Sequence, residues 1–293
     1  MPDLTNKNWY KNNYKASLKH KGRLLPLIEE QLVFNYEERN SHRDTEHLHP
    51  SEIAKKDWCP RSSWYKITGA QASPDSTSFN RLNIFEEGHA IHHKWQTWLW
   101  QAGVLHGNWS CSSCNERWVA TSPNACPGCG LNSIHYREVP IQNDQYRLLG
   151  HADGIIEDAN GRALLEIKSV GLGTIRWENK TLYNAYASGE LKFEDIWKNI
   201  KKPLASHIRQ GSLYMFCTGI DTIIFIYEWK PTQEVKEFTV TYQPELIADV
   251  LAGCEVVIKH LDSGKVPPRP DWAYDETSPG CKFCPYKKVC WKL

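Results

Sequence analysis

Residues 146–170 limit what this chain can fold into more than any other stretch. Two apolar runs, 146–157 and 162–170, are broken by Asp158-Ala159-Asn160-Gly161. Asn-Gly is a strong hairpin signal because both residues tolerate positive φ, so two antiparallel strands are predicted. A register that pairs 158 with 161 sets Asp153 opposite Glu166, and moving the loop centre by one residue brings Lys168 there instead. Glu166 and Lys168 share a face because side chains alternate along a strand. Charges set among Leu164, Leu165, Ile167 and Val170 need a partner or a metal. Two neighbouring carboxylates repel unless a cation lies between them, and hard Mg²⁺ or Mn²⁺ prefers oxygen ligands. Taken alone, the same residues also fit a surface hairpin with a cross-strand Lys–Glu pair.

Residues 79–103 have helical period, with Phe85, Gly88, Ile91, Trp95, Trp98, Leu99 and Ala102 in one stripe. At about 100° per residue, His92 falls inside that stripe while His89 and His93 point outward. The helix alone makes His92 a packing residue, although imidazole is also a frequent metal ligand. A second helix is expected from Pro203 to about Cys217. On it Gln210 and Tyr214 share a face, flanked by His207 and Arg209. That pair suits a hydrogen bond to a phosphate or a water, or a plain polar helix edge. An apolar strand is expected at 222–229 and further helices at 24–38 and 244–262, with Ser51 as N-cap of a helix leading into Cys59. Residues 75–78 read as a loop and 266–270 as an extended connector.

The ten cysteines fall into sets. No signal-like apolar segment is seen near the N-terminus and no run reaches transmembrane length, so no membrane association and a cytoplasmic location are expected. Cys-x-x-Cys pairs in a reducing compartment point to metal. Cys111-x-x-Cys114 and Cys126-x-x-Cys129, eleven residues apart, predict a tetrahedral structural zinc site that folds 109–136 into a small ribbon. Trp109, Arg117, Trp118 and His135 could let that ribbon touch nucleic acid. Cys281, Cys284 and Cys290 lack a fourth ligand, for which Cys59 is the best candidate, and the set suits zinc or an iron–sulfur cluster. Cys217 and Cys254, in apolar helical stretches, read as packed thiols.

The formal charge of +1, from 35 Lys and Arg against 34 Asp and Glu, does not advertise nucleic acid over the whole surface. Local basic stretches at 15–23 and 198–202 could. Most of the 13 tryptophans fill a core of this size, with Trp95 or Trp98 able to stack on unpaired bases. The length suits an N-terminal arm over 1–50 and one elaborated domain over 51–293, with the ribbon inserted at 109–136.

Together these parts resemble the RecB-like branch of the PD-(D/E)XK nucleases, above all the CRISPR-associated Cas-four exonucleases and AddAB-type iron–sulfur nuclease domains. Phe85 to His92 resembles that family's helix ending in a metal-binding histidine. Gly150 to Gly154 resembles its Gly-x-x-Asp-Gly, Glu166-Ile167-Lys168 its Glu-x-Lys, and Gln210 to Tyr214 its Gln-x-x-x-Tyr. Cys59 with Cys281, Cys284 and Cys290 resembles its [4Fe–4S] ligand set, whereas the 111–129 ribbon departs from the pattern. The resemblance implies an α/β fold: a restriction-endonuclease-like core whose mixed central sheet is flanked by helices, plus the zinc ribbon and a cysteine-rich iron–sulfur cap. It makes His92 a ligand of Mg²⁺ or Mn²⁺ with Asp153, Glu166 and the Ile167 carbonyl, and Asp153, Glu166, Lys168, Gln210 and Tyr214 the catalytic set. The implied activity is metal-dependent DNA hydrolysis, exonucleolytic at ends or on single strands, in recombination, repair or phage replication, in a bacterial or phage-infected cell. A recombination or replication protein would be its partner. A structure-selective or sequence-specific endonuclease and a non-catalytic nucleic-acid-binding subunit are the alternatives.

Overall fold

The computed structural model describes residues 22–73 and 78–292. These divide into two compact units, one of 22–44 with 78–87 and one of 45–73 with 88–292. The basic residues 15–21, the first part of the N-terminal arm and loop residues 75–77 lie outside the described residues. In the smaller unit, helix α1 (Leu25–Ser41) stacks Tyr36 on Phe85 with ring centroids 6.2 Å apart. Among the described residues, no helix is long and apolar enough to cross a membrane.

The larger unit is an α/β structure built on a mixed central sheet flanked by helices. Its spine is β7 (Gly161–Val170), antiparallel to β6 (Gly154–Asp158) and parallel to β8 (Thr222–Trp229). The Asp158–Gly161 turn closes as the sequence predicts. Asp158 Oδ1 accepts the Asn160 amide at 2.7 Å, and Gly161 takes a φ of +111°. Strands buried on both faces read as nearly continuous apolar runs, and β7 does so. Leu164 and Val170 pack with Tyr214 and Met215 of a helix at Ala205–Thr218, whereas Leu165 and Ile167 pack with Ile91 of a helix at Phe79–Gln101. A parallel partner requires a crossover, here four helices: Leu172–Glu178, Lys180–Ala187, Phe193–Asn199 and Ala205–Thr218. In chain order, with α2 (Pro50–Ile53), α3 (Pro60–Ile67) and α4 (Phe79–Gln101) before them, these are α5 to α8. Strand β9 (Glu234–Thr241) closes one side of the sheet.

On the other side of the sheet, β1 (Leu105–Cys111) pairs through Leu105 and His106 with β6. The same strand continues outward between β2 (Arg117–Thr121) and β3 (Ile134–Arg137). The cysteine knuckles are therefore carried on strands of the central sheet itself.

Several expected boundaries change. The single strand expected at 146–157 is two, because the chain bends at Asp153 and changes sheets. Strand β5 (Leu148–Ala152) pairs with β4 (Val139–Asn143) in a separate two-stranded sheet, and β6 joins the spine. Just past the bend, Gly154 lets the chain pack close to β1, since a Cβ there would meet Leu105 Cδ1 at 2.8 Å. Helix α8 starts at Ala205 rather than Pro203, with Leu204 as its extended N-cap. Ser51 lies inside α2, whose N-cap is His49, and a separate helix, α3, begins after Cys59. The helix expected from 244 is preceded by a short turn and runs as α9 (Ala248–Asp262). Along α4 the stripe is narrower than expected: Phe85, Trp98 and Ala102 are exposed, while Leu82 and Ile91 are buried. Lys94 rather than apolar cover lies over the Trp98 ring, at 5.3 Å from its centroid.

Gly211 sets the approach of α8 to the sheet. A Cβ there would meet Phe225 Cζ at 2.8 Å and Ile223 Cδ1 at 2.9 Å, on a strand in the fully packed core. Gly211→Ala is expected to cost about 1–3 kcal/mol from overpacking. It should also displace the neighbouring Gln210. Denaturant unfolding reads the effect, and an unchanged midpoint would show that the helix yields freely.

Candidate active site

The β6–β7 register pairs Gly154 with Leu165, so Asp153 falls opposite Glu166 one step beyond the last paired residues. Both carboxyl groups are buried, Asp153 at 5% exposure and Glu166 at 3%. Asp153 Oδ2 accepts the Ile167 amide at 2.5 Å, and Oδ1 lies 2.9 Å from His92 Nδ1. Glu166 Oε1 is 2.6 Å from the Lys168 ammonium and accepts Gln210 Nε2 at 2.8 Å. Its other oxygen, Oε2, is buried without a partner. Burial pushes the Glu166 pKa up, against the pull of the Lys168 ammonium and with the help of the Asp153 charge. For His92, burial pulls the pKa down, but the hydrogen bond and charge of Asp153 outweigh it, and the net shift is upward.

Helix α4 thus aims His92 at the hairpin while His89 and His93 stay exposed. Glu138, between β3 and β4, was not legible in the sequence. It brings a carboxylate oxygen within 4.8 Å of ligand atoms of His92 and Asp153. Solvent reaches this residue, yet surrounding protein and then the Asp153 charge raise its pKa. No spacing links 138 to 92 or 153; only the path from β3 into the small β4–β5 sheet places it there.

Gln210 and Tyr214 are almost fully buried, so neither faces a phosphate in solvent. Gln210 Oε1 accepts Lys168 Nζ at 3.1 Å, and its Nε2 donates to Glu166 and, at 2.8 Å, to the Tyr214 hydroxyl. The amide holds ammonium and carboxylate in one arrangement, and Tyr214 fixes the amide. His207 turns away to hydrogen-bond the Tyr227 hydroxyl, and burial, then the Lys168 charge, drives its pKa well below the usual value. Arg209 pairs with Asp249 at 2.6 Å and does not join the site. Trp95 is committed elsewhere: its indole donates to Glu228 at 2.7 Å, beside a Lys94–Glu228 ion pair.

The four ribbon thiols converge. Cys111 and Cys129 Sγ are 3.7 Å apart, Cys114 and Cys126 Sγ 3.5 Å, and all four lie within 4.8 Å of one another. A tetrahedron with metal–sulfur bonds of about 2.3 Å has edges near 3.8 Å. The Ser113 amide donates to Cys111 Sγ at 3.4 Å, as a knuckle does for a thiolate. Trp109, expected as a possible nucleic-acid contact, is wholly buried and donates to the Ala120 carbonyl. Cys59, Cys281, Cys284 and Cys290 line one cavity with Arg61, Tyr65 and Trp291. Arg61 donates to the Pro267 carbonyl at 2.7 Å and Ser62 Oγ lies 3.6 Å from Cys284 Sγ, which ties α3 to the C-terminal segment. Cys254 is buried and Cys217 partly so, and burial pushes their thiols up to about 12 and about 11.

No protein-family model matches the sequence, and no curated protein matches it. Among solved structures it is similar to LHK-Exo in complex with dAMP, at 13% identity and a TM-score of 0.42 over 75% of this chain and 90% of that one. It is similar to an alkaline exonuclease (LHK-Exo) from Laribacter hongkongensis at 14% identity and a TM-score of 0.41, with the same coverage. A third similar structure is SSO0001, at 17% identity and a TM-score of 0.43 over 91% of this chain and 97% of that one.

Proposed function

We propose that this chain is a metal-dependent deoxyribonuclease of the PD-(D/E)XK kind, an exonuclease acting on DNA ends or single strands in recombination, repair or phage DNA replication. The observation that carries the reading is Glu166 Oε2, a buried carboxylate oxygen with no partner, beside Asp153 and a lysine. An orphaned buried acceptor of this kind is costly unless something satisfies it. The donors present fit Mg²⁺ or Mn²⁺. Adjacent corners of an octahedron with bonds of about 2.1 Å lie about 3 Å apart, and His92 Nδ1 and Asp153 Oδ1 are 2.9 Å apart. His92, Asp153 and Glu138, whose ligand atoms lie within 4.8 Å of one another, would hold the ion, with Glu166, which falls outside that group, and the Ile167 carbonyl completing the set as the ion draws them in. In a strand a residue's N–H and C=O point to the same flank, so the Ile167 carbonyl is directed to the side where its amide meets Asp153. Bound there, the ion would supply a coordinated water of lowered pKa and polarise a phosphate oxygen.

The remaining chemistry belongs to the chain. Lys168 has three donors, of which Glu166 and Gln210 take two, leaving one for an attacking water or a phosphate oxygen. Gln210 and Tyr214 keep that donor aimed. The four ribbon thiols fit Zn²⁺, which would act structurally. The wider set of Cys59, Cys281, Cys284 and Cys290 fits a [4Fe–4S] cluster better than a single ion, because a cluster spreads its ligands farther apart.

Anaerobically purified protein should contain iron, sulfide and zinc. It should shorten end-labelled linear DNA with Mn²⁺, lose the activity in EDTA, and leave circular single strands and plasmid intact. Cleavage of circular DNA would turn the reading to an endonuclease, and binding without cleavage to a non-catalytic subunit.

A further inference from the structure

A groove of about 730 Å³ is lined by Asn108, Arg117, Val119, Arg137, Pro140 and His151, with Glu138 also on its wall. One wall is the outer face of the ribbon strands. The register sets Asn108 opposite both Val119 on β2 and Arg137 on β3, and Arg117 opposite Ser110, so these side chains share a face. The facing wall is the small sheet, where Pro140 and His151 are paired residues. Glu138 belongs both to the groove and to the group with His92 and Asp153, so the groove opens onto the candidate metal site.

Two features say what occupies it. Arg117 and Arg137 are exposed, and neither guanidinium has a hydrogen-bond or ion-pair partner among the described residues, unlike Arg162 with Glu157 or Arg209 with Asp249. They flank the groove from two different strands, as phosphate contacts do. Between them the lining is Val119 and Pro140, apolar surface that suits a base face rather than a base-pair edge. Its volume is within the range of small-molecule sites. We propose that this groove binds unpaired DNA and leads it to the carboxylates, which gives the metal-binding ribbon a role in choosing single strands. The proposal rests on the nuclease reading only for the direction of travel; binding stands apart from cleavage.

The test is therefore made without cleavage. Zinc-replete protein kept free of added Mg²⁺ and Mn²⁺ is titrated into fluorescent dT20, rU20 and a 20-base-pair blunt duplex, with anisotropy as readout. We expect dT20 to bind at least about tenfold tighter than the duplex. R117A and R137A should each weaken dT20 binding about tenfold and lower the salt slope by about one, with duplex binding unchanged. Zinc content and thermal unfolding check that both variants fold. Should either fail, photo-crosslinking of bromouracil-substituted DNA to wild-type protein should label the peptide containing Trp118 and Val119. Duplex or rU20 binding as tight as dT20, arginine variants that bind like wild type, or crosslinks lying only elsewhere would each overturn the proposal. Loss of the nuclease reading would show instead as Mn²⁺-dependent turnover that never appears while arginine-dependent dT20 binding persists.

Discussion

Lys168→Ala is expected to lower Mn²⁺-dependent DNA cleavage by about 10²–10³-fold, the usual cost of one charge-stabilising donor, while binding of uncleaved DNA stays within about threefold. The asymmetry follows from placement. The ammonium is largely buried, 2.6 Å from Glu166 and 3.1 Å from Gln210, so little of it is offered to DNA in the ground state. Its free donor matters when charge builds on the phosphate, and interactions made only in the transition state appear in kcat. Removing it also deprives Glu166 of the larger of the two positive neighbours, Lys168 and His92, that oppose its raised pKa. Lys168→Arg should recover only part of the rate, because a planar guanidinium cannot occupy the point where Glu166 and Gln210 converge. Single-turnover cleavage with saturating protein, beside anisotropy in EDTA, separates the two quantities. Turnover within tenfold of wild type would remove Lys168 from the chemistry.

What the sequence made legible depended on local rules. The register of the β6–β7 hairpin was readable because an Asn-Gly turn sets the pairing, and period two then carries it five residues to Asp153 and Glu166. The direction of His92 followed from the helical period, and the convergence of the four ribbon thiols from knuckle spacing. Non-local features were hidden. Nothing within 146–157 announces that the chain leaves one sheet for another at Asp153, since both halves are apolar and only their pairing with β4 and with β7 separates them. Glu138 reaches the site through a turn between two sheets. From the helix alone Gln210 and Tyr214 fit either a phosphate or water contact or a polar edge, whereas α8 packs on β7 so closely that they form an interior hydrogen-bond chain. Trp98 failed the opposite way: an apolar residue at a stripe position stays half exposed, with the Lys94 ammonium over its ring.

Continuity between the ribbon and the central sheet was likewise hidden, and it would link the proposed binding of zinc by the four thiols to stability. Strand β1 carries Cys111 at one end and pairs with β6 at the other, while Trp109 between them is wholly buried against Trp100 and Tyr136. A ribbon joined only by a linker could unfold and leave the core intact. Here, splaying of the knuckles pulls on a strand that also abuts Gly154, the residue after Asp153.

Cys126→Ser is accordingly expected to abolish zinc binding and to lower the unfolding temperature by about 8–16 °C. Structural zinc contributes roughly 10–16 kcal/mol of apparent binding energy at neutral pH in finger peptides. Cys126 is buried, so the serine leaves a hydroxyl facing three thiols with no ion to neutralise them. If only about 4 kcal/mol of that energy reaches the sheet, a shift of about 8–16 °C follows for a domain of this size. Cysteines outside the knuckles provide the contrast: Cys217→Ser, partly buried in a helix, should keep its zinc and lose far less stability. Scanning calorimetry with zinc counts on both variants distinguishes a shared sheet from an independent module. A Cys126→Ser protein that loses its zinc yet melts within about 2 °C of wild type would mean that the ribbon folds on its own account, and the coupling drawn here between knuckle and active-site hairpin would not exist.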